Sequence, residues 1–444
     1  MKAMFYWGEG GLKKALSKKV AIATLGCKVN QYDSAQIEEI LKKDNYQIVS
    51  DQEAADVYIV NSCTVTAKAD QEARHLLRRF QKVNPKATLV LTGCYAQTQA
   101  QELSKFPSVH YVVGNTLKTK ISELLKQPPK LYIQNAFHAH ELSNIPIESF
   151  PGHTRVFLKI QDGCDDFCTF CIIPYARGKS RSLAPEAVIS QIALLVKNGT
   201  QEVVLTGVSL GSYGWDLSPK TSLASLVQKI EKETSLLRLR ISSLEPEDVN
   251  EELLSTLENS EKFCPHFHLP LQSGCNFILE KMKRNYTTHY YENLILKITR
   301  DFKDVFIGTD VISGFPGETK EHAQESFHFL ENLPWSKLHV FPYSARKGTP
   351  ATKFLGKLSR SEILERSQKL RELSDQRYQS TLDQHIGRSY LSLVEKSTHK
   401  DFQKALSRNY LPIYFKSSNA SLLNTEIKLK VLSHTQDQLL GQMV

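Results

Sequence analysis

The chain has 444 residues, 41% hydrophobic and 23% charged, a composition that can bury cores and excludes a disordered tail protein. No apolar run of roughly eighteen residues occurs, which excludes a membrane-spanning helix. The formal charge of +9 suits a polyanionic partner, and eight cysteines in so large a chain read as metal or catalytic thiols before disulfides.

The first nineteen residues mix five lysines with Trp7, Glu9, Gly10 and Gly11 and hold no apolar secretory core, so a cytoplasmic protein is expected. Three β-rich runs follow, at 20–26, 56–62 and 87–93, with another at 111–113. Helical patterns fill the gaps, Ile37, Ile40 and Leu41 sharing one face and Leu76, Leu77 and Phe80 another. Strand alternating with helix predicts an open parallel α/β sheet. Residues 127–152, with Pro128, Pro129, Pro146 and Pro151, read as a linker.

The alternation then restarts. Strands are predicted at 156–160, 202–206, 237–241, 266–271, 305–312 and 338–342, with helices at 186–197, 223–232, 290–302 and 320–333. Six βα units are too few for the eight of a complete barrel and predict a partial (βα)6 barrel open at one side. Ser359 and Glu362 form a capping-box pair that opens a long helix reaching about residue 384. Beyond 387 the pattern is short and β-like, at 390–394, 411–415 and 427–432, which predicts a small β-barrel. The expected division is 19–130, 150–380 and 383–444.

Cys164, Cys168 and Cys171 follow the first strand of the second unit, where a parallel barrel gathers its active-site loops. Structural zinc wants four protein ligands, and the nearest further candidate is His153. A [4Fe–4S] cluster held by three cysteines keeps one iron free for a cofactor or substrate. Cys27, Cys63 and Cys94 each stand directly after one of the three N-terminal strands. Ligands of open parallel sheets bind outside the strands' carboxyl ends, so these three distant thiols are expected to meet in one crevice as a second such centre. The rival readings are buried free cysteines and a zinc-bearing RNA-binding protein. Cys264 and Cys275 are read as packing residues.

With their surroundings, these residues resemble the radical S-adenosylmethionine methylthiotransferases. The resemblance lies in Gln161-Asp162-Gly163-Cys164, Cys171-Ile172-Ile173-Pro174 and Leu205-Thr206-Gly207-Val208. It continues through His268-Leu269-Pro270-Leu271-Gln272-Ser273-Gly274, the run from Asp310 to Thr319, Phe341-Pro342-Tyr343-Ser344-Ala345-Arg346 and Gly348-Thr349-Pro350-Ala351. Ser209 and Cys275 depart from the family pattern, where Asn and Ser are usual. Within the family, Leu25-Gly26-Cys27-Lys28-Val29-Asn30 and Asn61-Ser62-Cys63-Thr64-Val65-Thr66 are most similar to the MtaB-type branch. That branch acts on N6-threonylcarbamoyladenosine (t6A) beside the anticodon of tRNA; sister branches act on isopentenyladenosine or on a ribosomal-protein aspartate.

The resemblance implies replacement of the C2 hydrogen of t6A by a methylthio group, giving 2-methylthio-t6A. The cluster at Cys164, Cys168 and Cys171 would bind S-adenosylmethionine and, given one electron, release a 5′-deoxyadenosyl radical; the cluster at Cys27, Cys63 and Cys94 would carry the sulfur. Gly207, Ser243, Gln272, Ser273 and Ile312, at strand ends, are candidate cofactor contacts. Arg177, Lys179 and Arg181, beside Tyr175, form a basic loop after the cysteine run that could hold phosphates. Arg74, Arg78 and Arg79 form another basic group, read as a solvated helix face. Residues 383–444 carry eight Lys/Arg against five Asp/Glu. There Arg388, Lys404, Arg408, Tyr410 and Tyr414 combine charge with aromatic rings on what resembles a TRAM domain. The partners implied are tRNA, an electron-donor protein and a sulfur source, with no membrane.

Overall fold

Val57–Ser62 is buried at every position, the continuous run expected of a parallel strand covered on both faces. In the computed structural model, which describes residues 17–150, 152–397 and 402–444, this strand lies inside a six-stranded parallel sheet. Its members are β1 (Lys19–Thr24), β2 (Gln47–Val49), β3 (Val57–Ser62), β4 (Thr88–Gly93), β5 (Tyr111–Val113) and β6 (Leu131–Tyr132), in the order β2-β1-β3-β4-β5-β6. The helix Lys28–Lys43 packs Ile37 and Leu41 with Val20 and Ile59 on one face; Ala67–Val83 packs Leu77 and Phe80 with Tyr58 and Val60 on the other. The sheet reaches into the stretch predicted as linker, because Leu131 and Tyr132 pair with Val112 and Val113. A two-residue edge strand is too short to show a period in sequence. The N-terminal stretch 1–16, on which the absence of a secretory core was argued, and Pro151 lie outside the described residues.

Six parallel strands then form the partial barrel: β7 (Arg155–Lys159), β10 (Glu202–Thr206), β11 (Arg238–Ile241), β12 (His266–His268), β13 (Phe306–Ser313) and β14 (Lys337–Pro342). A short antiparallel pair, β8 (Gln161–Asp162) with β9 (Arg181–Ser182), brackets the cysteine loop. The strands run β7-β10-β11 and β12-β13-β14, and the bridges Leu239–Phe263 and Ser243–His268 join the two groups. The barrel is therefore open between β7 and β14. Strand β12 stops short of the predicted residue 271, since Pro270 has no N–H to offer the ladder.

The helix Arg360–Asp383 begins with the predicted capping box: Ser359 Oγ accepts from Glu362 N and Ser359 N donates to Glu362 Oε2 at 2.9 Å. Beyond it, β15 (Ser389–Glu395), β16 (Phe402–Ser407), β17 (Pro412–Lys416), β18 (Glu426–His434) and β19 (Leu439–Met443) close a barrel in the order β15-β16-β17-β19-β18. Two of the five, β16 and β19, escape sequence prediction because neither alternates buried and exposed side chains. This small barrel docks on the amino ends of the large barrel's strands. Arg238 binds Glu202 at 2.7 Å, Glu426 at 2.6 Å and the carbonyls of Leu406 and Ser407; Arg155 binds Glu395 at 2.7 Å. Burial alone would raise the Glu202 carboxyl, but Arg240, Arg238 and Arg155 outweigh it and hold it at about 2.

Candidate functional site

Three strands of the first sheet end in a tight turn and a cysteine. Gly26 has φ +96°, and a Cβ there would lie 2.5 Å from Cys63 Cβ and 2.8 Å from its sulfur. Gly93 has φ +98°, and a Cβ would lie 2.2 Å from the Ser62 carbonyl oxygen. Only glycine tolerates both the backbone and the proximity, so β1, β3 and β4 deliver their thiols side by side. Burial pushes the Cys63 thiol up to about 12, with Cys94 and Cys27 adding to the rise. Asn115 Nδ2 lies 3.7 Å from Cys94 Sγ, and Val65 N donates to Cys63 Sγ at 3.5 Å.

The second trio sits in the loop between β8 and β9. Gly163, at φ +82°, would place a Cβ 2.0 Å from the Lys179 carbonyl oxygen; Cys164 N donates to Gly178 O, and Cys171 N to Cys168 O at 3.0 Å. Burial, then Cys168, raises the Cys171 thiol to about 12. Arg284, which sequence reasoning missed, donates to Cys168 Sγ at 3.1 Å and pairs with Glu245.

Among the described residues, the group of three His, Cys, Asp or Glu side chains with ligand atoms all within 4.8 Å of one another is His268, Asp310 and His339, not either cysteine trio. Zinc–sulfur bonds of about 2.3 Å would hold tetrahedral thiolates about 3.8 Å apart. Neither trio is gathered to that spacing, while the members of each share each other's fields. A cube that takes one thiolate per iron fits this donor set.

The two cysteine loops are joined by buried charge. Arg177 donates to both Asp162 oxygens at 2.8 and 3.0 Å, to Asn30 Oδ1 at 2.5 Å and to Asp33 at 3.3 Å. Lys118 pairs with Asp33 at 2.7 Å, and Lys159 pairs with the same carboxylate. Asn30 in turn donates to the carbonyls of Leu25 and Ser62, beside Cys27 and Cys63. Arg177 is 2% exposed, which corrects its prediction as a phosphate contact. Arg181 is likewise buried and donates to the carbonyls of Arg177 and Lys179. Lys179 and Tyr175 stay exposed on that loop.

Three further RNA candidates are engaged within the chain. Arg388 pairs with Asp304, and Arg408 with Glu426 at 3.0 Å and the Glu261 carbonyl. Tyr410 faces inward: its ring stacks on His266 at 4.2 Å with Arg240 4.9 Å from its centroid. These side chains are occupied because the small barrel docks through them, a fact that a one-dimensional charge pattern does not contain. Lys404 pairs with Glu395, and Arg79 with Asp51.

Of the candidate cofactor contacts, Gly207 lies against Gln161, whose Oε1 accepts from Val208 N and Ser209 N at 2.8 and 2.9 Å. Gln272, at φ +69°, exchanges backbone bonds with Asp310 and Ile312 at the carboxyl end of β13. Ser243 is exposed and bridges to His268. Ser273 is 1% exposed and its hydroxyl accepts from Cys275 N, so it shapes a turn and is no open contact. Cys264 and Cys275 are buried, as packing residues should be. Inside the barrel, His268 Nε2 lies 3.0 Å from Asp310 Oδ1, and the His268 and His339 rings are 5.5 Å apart. Polar residues within apolar strand runs were the available signal for this group.

Residues 19–114 match the family described as Uncharacterized protein family UPF0004, and residues 158–330 the Radical SAM superfamily. The chain is 40% identical to the threonylcarbamoyladenosine tRNA methylthiotransferase MtaB of Aquifex aeolicus, over 89% of this chain and 96% of that protein. It is 35% identical to the protein of the same name from Bacillus subtilis, over 96% of each. The fold is also that of the radical S-adenosylmethionine methyltransferase TsrM from Kitasatospora setae, with a TM-score of 0.57 and 15% identity over 76% of this chain and 75% of that one. With two cysteine trios on adjoining α/β units and this identity along nearly the whole length, the chain belongs to the radical S-adenosylmethionine methylthiotransferases of the MtaB type.

Proposed function

We propose that this chain converts t6A beside the anticodon of tRNA to 2-methylthio-t6A. The observation that carries the reading is the pair of three-thiol sites on loops tied together through Arg177, Asn30 and Asp162. The cofactors are two [4Fe–4S] clusters and S-adenosylmethionine; Cys164, Cys168 and Cys171 would hold one cluster, and Cys27, Cys63 and Cys94 the other. When bound, these groups supply one-electron chemistry together with the sulfur and methyl groups that replace an aromatic hydrogen too weakly acidic for a general base.

The chain's own residues orient and insulate. Burial raises the Cys168 thiol, and the Arg284 guanidinium that donates to its sulfur opposes that rise. Arg177 holds both loops together through Asp162, Asn30 and Asp33. Gly207, Ser243, Gln272 and Ile312 line the carboxyl mouth of the barrel, where S-adenosylmethionine would lie. Exposed Lys179 and Tyr175 flank that mouth and suit phosphate and base contact. The small barrel is read as a TRAM-like unit, and the division 19–130, 150–380 and 383–444 is supported by the six-stranded sheet, the partial barrel and the small closed barrel, with β6 extending the first to Tyr132. No described helix is long and apolar enough to cross a membrane, and a cytoplasmic site with an electron-donor protein and a sulfur source as partners completes the proposal.

The test is anaerobic incubation of the reconstituted chain with S-adenosylmethionine, a reductant and t6A-containing tRNA, followed by nucleoside mass spectrometry. Appearance of 2-methylthio-t6A is expected. Modification of isopentenyladenosine alone, or a colourless zinc protein without iron, would overturn the reading.

A further inference from the structure

Lys28 follows Cys27 and opens the helix Lys28–Lys43. Its side chain leaves the thiol crevice for the open side of the barrel, where the ammonium lies 6.0 Å from the centroid of Phe157 on β7. There it acts on His339 of β14 and His266 of β12, across the opening. Arg155, Arg240, Tyr410 and Cys27 also share its field, and Asp310 acts on the same His339.

The arginines of this chamber are already paired. Arg155 is matched by Glu395 at 2.7 Å and Arg240 by Glu202 at 2.9 Å. Among the described residues Lys28 forms no ion pair, and Asp310, which acts on the same His339, is paired with His268 at 3.0 Å. The phenol of Tyr410 feels the same three cations, since Arg155, Lys28 and Arg240 outweigh its burial and draw its pKa below the ordinary value. A half-buried cation with no ion pair of its own is costly unless the working complex brings an anion to it.

The substrate proposed above carries such an anion, and at the right edge. In a purine, N1 alone separates C2 from C6, the carbon that bears N6. A group that reads the N6 substituent must therefore stand close to whatever delivers sulfur to C2, and Lys28 is bonded directly to Cys27. RNA phosphates attach through the sugar on N9, on the far side of the base. Resting on that substrate reading, we infer that Lys28 pairs with the threonyl carboxylate of t6A and so selects an acidic N6 substituent over a hydrocarbon one. A charge-assisted bond of this kind, made away from bulk water, is among the stronger ones available to a protein. A site built to pair a polar group also discriminates strongly against substrates that lack it.

The test compares two anticodon-stem RNAs on the reconstituted full chain: one with t6A, one with its threonyl carboxylate converted to the carboxamide. The wild-type chain should favour the acid by at least about tenfold in kcat/KM. Lys28→Met should abolish that preference mainly through KM, with iron and sulfide content and the cluster EPR signals unchanged, and Lys28→Arg should restore part of it. A Lys28→Met chain that slows equally on both RNAs, that keeps its preference, or that loses iron would overturn the inference. A wild-type chain inactive on both RNAs yet active on isopentenyladenosine would instead overturn the substrate reading itself, and the inference with it.

Discussion

Arg177 shows how a residue's chemistry can be legible while its position is not. Its place after the cysteine run made it a phosphate candidate, but its guanidinium lies between Asp162, Asp33 and Asn30 at 2% exposure. Removing one member of a buried charge network leaves its partners uncompensated, at a cost of about 3–5 kcal/mol. Arg177→Gln should therefore lower the thermal midpoint by many degrees and reduce iron retention, while Lys179→Gln, on an exposed side chain, should move stability by no more than about 0.5 kcal/mol. Differential scanning calorimetry checks both; an Arg177→Gln chain with unchanged midpoint and weakened RNA binding would reverse the assignment. The six cysteines were legible because spacing and strand ends are sequence properties. Arg284 and the pair His268–Asp310 were not, since they become neighbours only when β12, β13 and the cysteine loop converge.

At the scale of elements, the long strands and the capped helix followed from period and capping chemistry, and the short or irregular pieces did not. Strand β6 has two residues, and β16 and β19 lack alternation, so none of the three left a pattern to read. The amino ends of β7, β10 and β11 look like ordinary charged strand starts in sequence, yet they carry the docking surface of the small barrel. Glu202 is its hub. Its carboxyl is held at about 2 against an ordinary 4.5, so folding favours the charged form. The stability this confers, on the order of 3 kcal/mol, is fully present above about pH 4.5 and is lost as the pH falls toward 2. Glu202→Gln should destabilise the chain at pH 7, because Arg238 and Arg240 lose their counter-charge, and should flatten the fall in thermal midpoint between pH 5 and pH 3. An unchanged slope in that window would show that the hub is not titrating there.

At the scale of the whole molecule, two α/β units set their cysteine loops against each other, and the third unit closes the floor of the barrel with Tyr410. The reading of three units rested on the proline-rich stretch at 127–152, after which strand–helix alternation restarts, and on the change to short β-like runs beyond 387. How the units meet was not, since the interfaces are polar: Asp33, Asp162 and Arg177 on one side, Glu202, Arg238 and Glu395 on the other. Polar interfaces suit the proposed function, in which two centres act on one nucleotide edge without being fused into one core. The most direct test is iron and acid-labile sulfide per chain, measured for the anaerobically reconstituted protein and for two variants, each with one cysteine trio replaced by alanine. About eight irons in the wild type, falling to about four in either variant, is the predicted result. A trio whose replacement leaves the iron count unchanged would contradict the account.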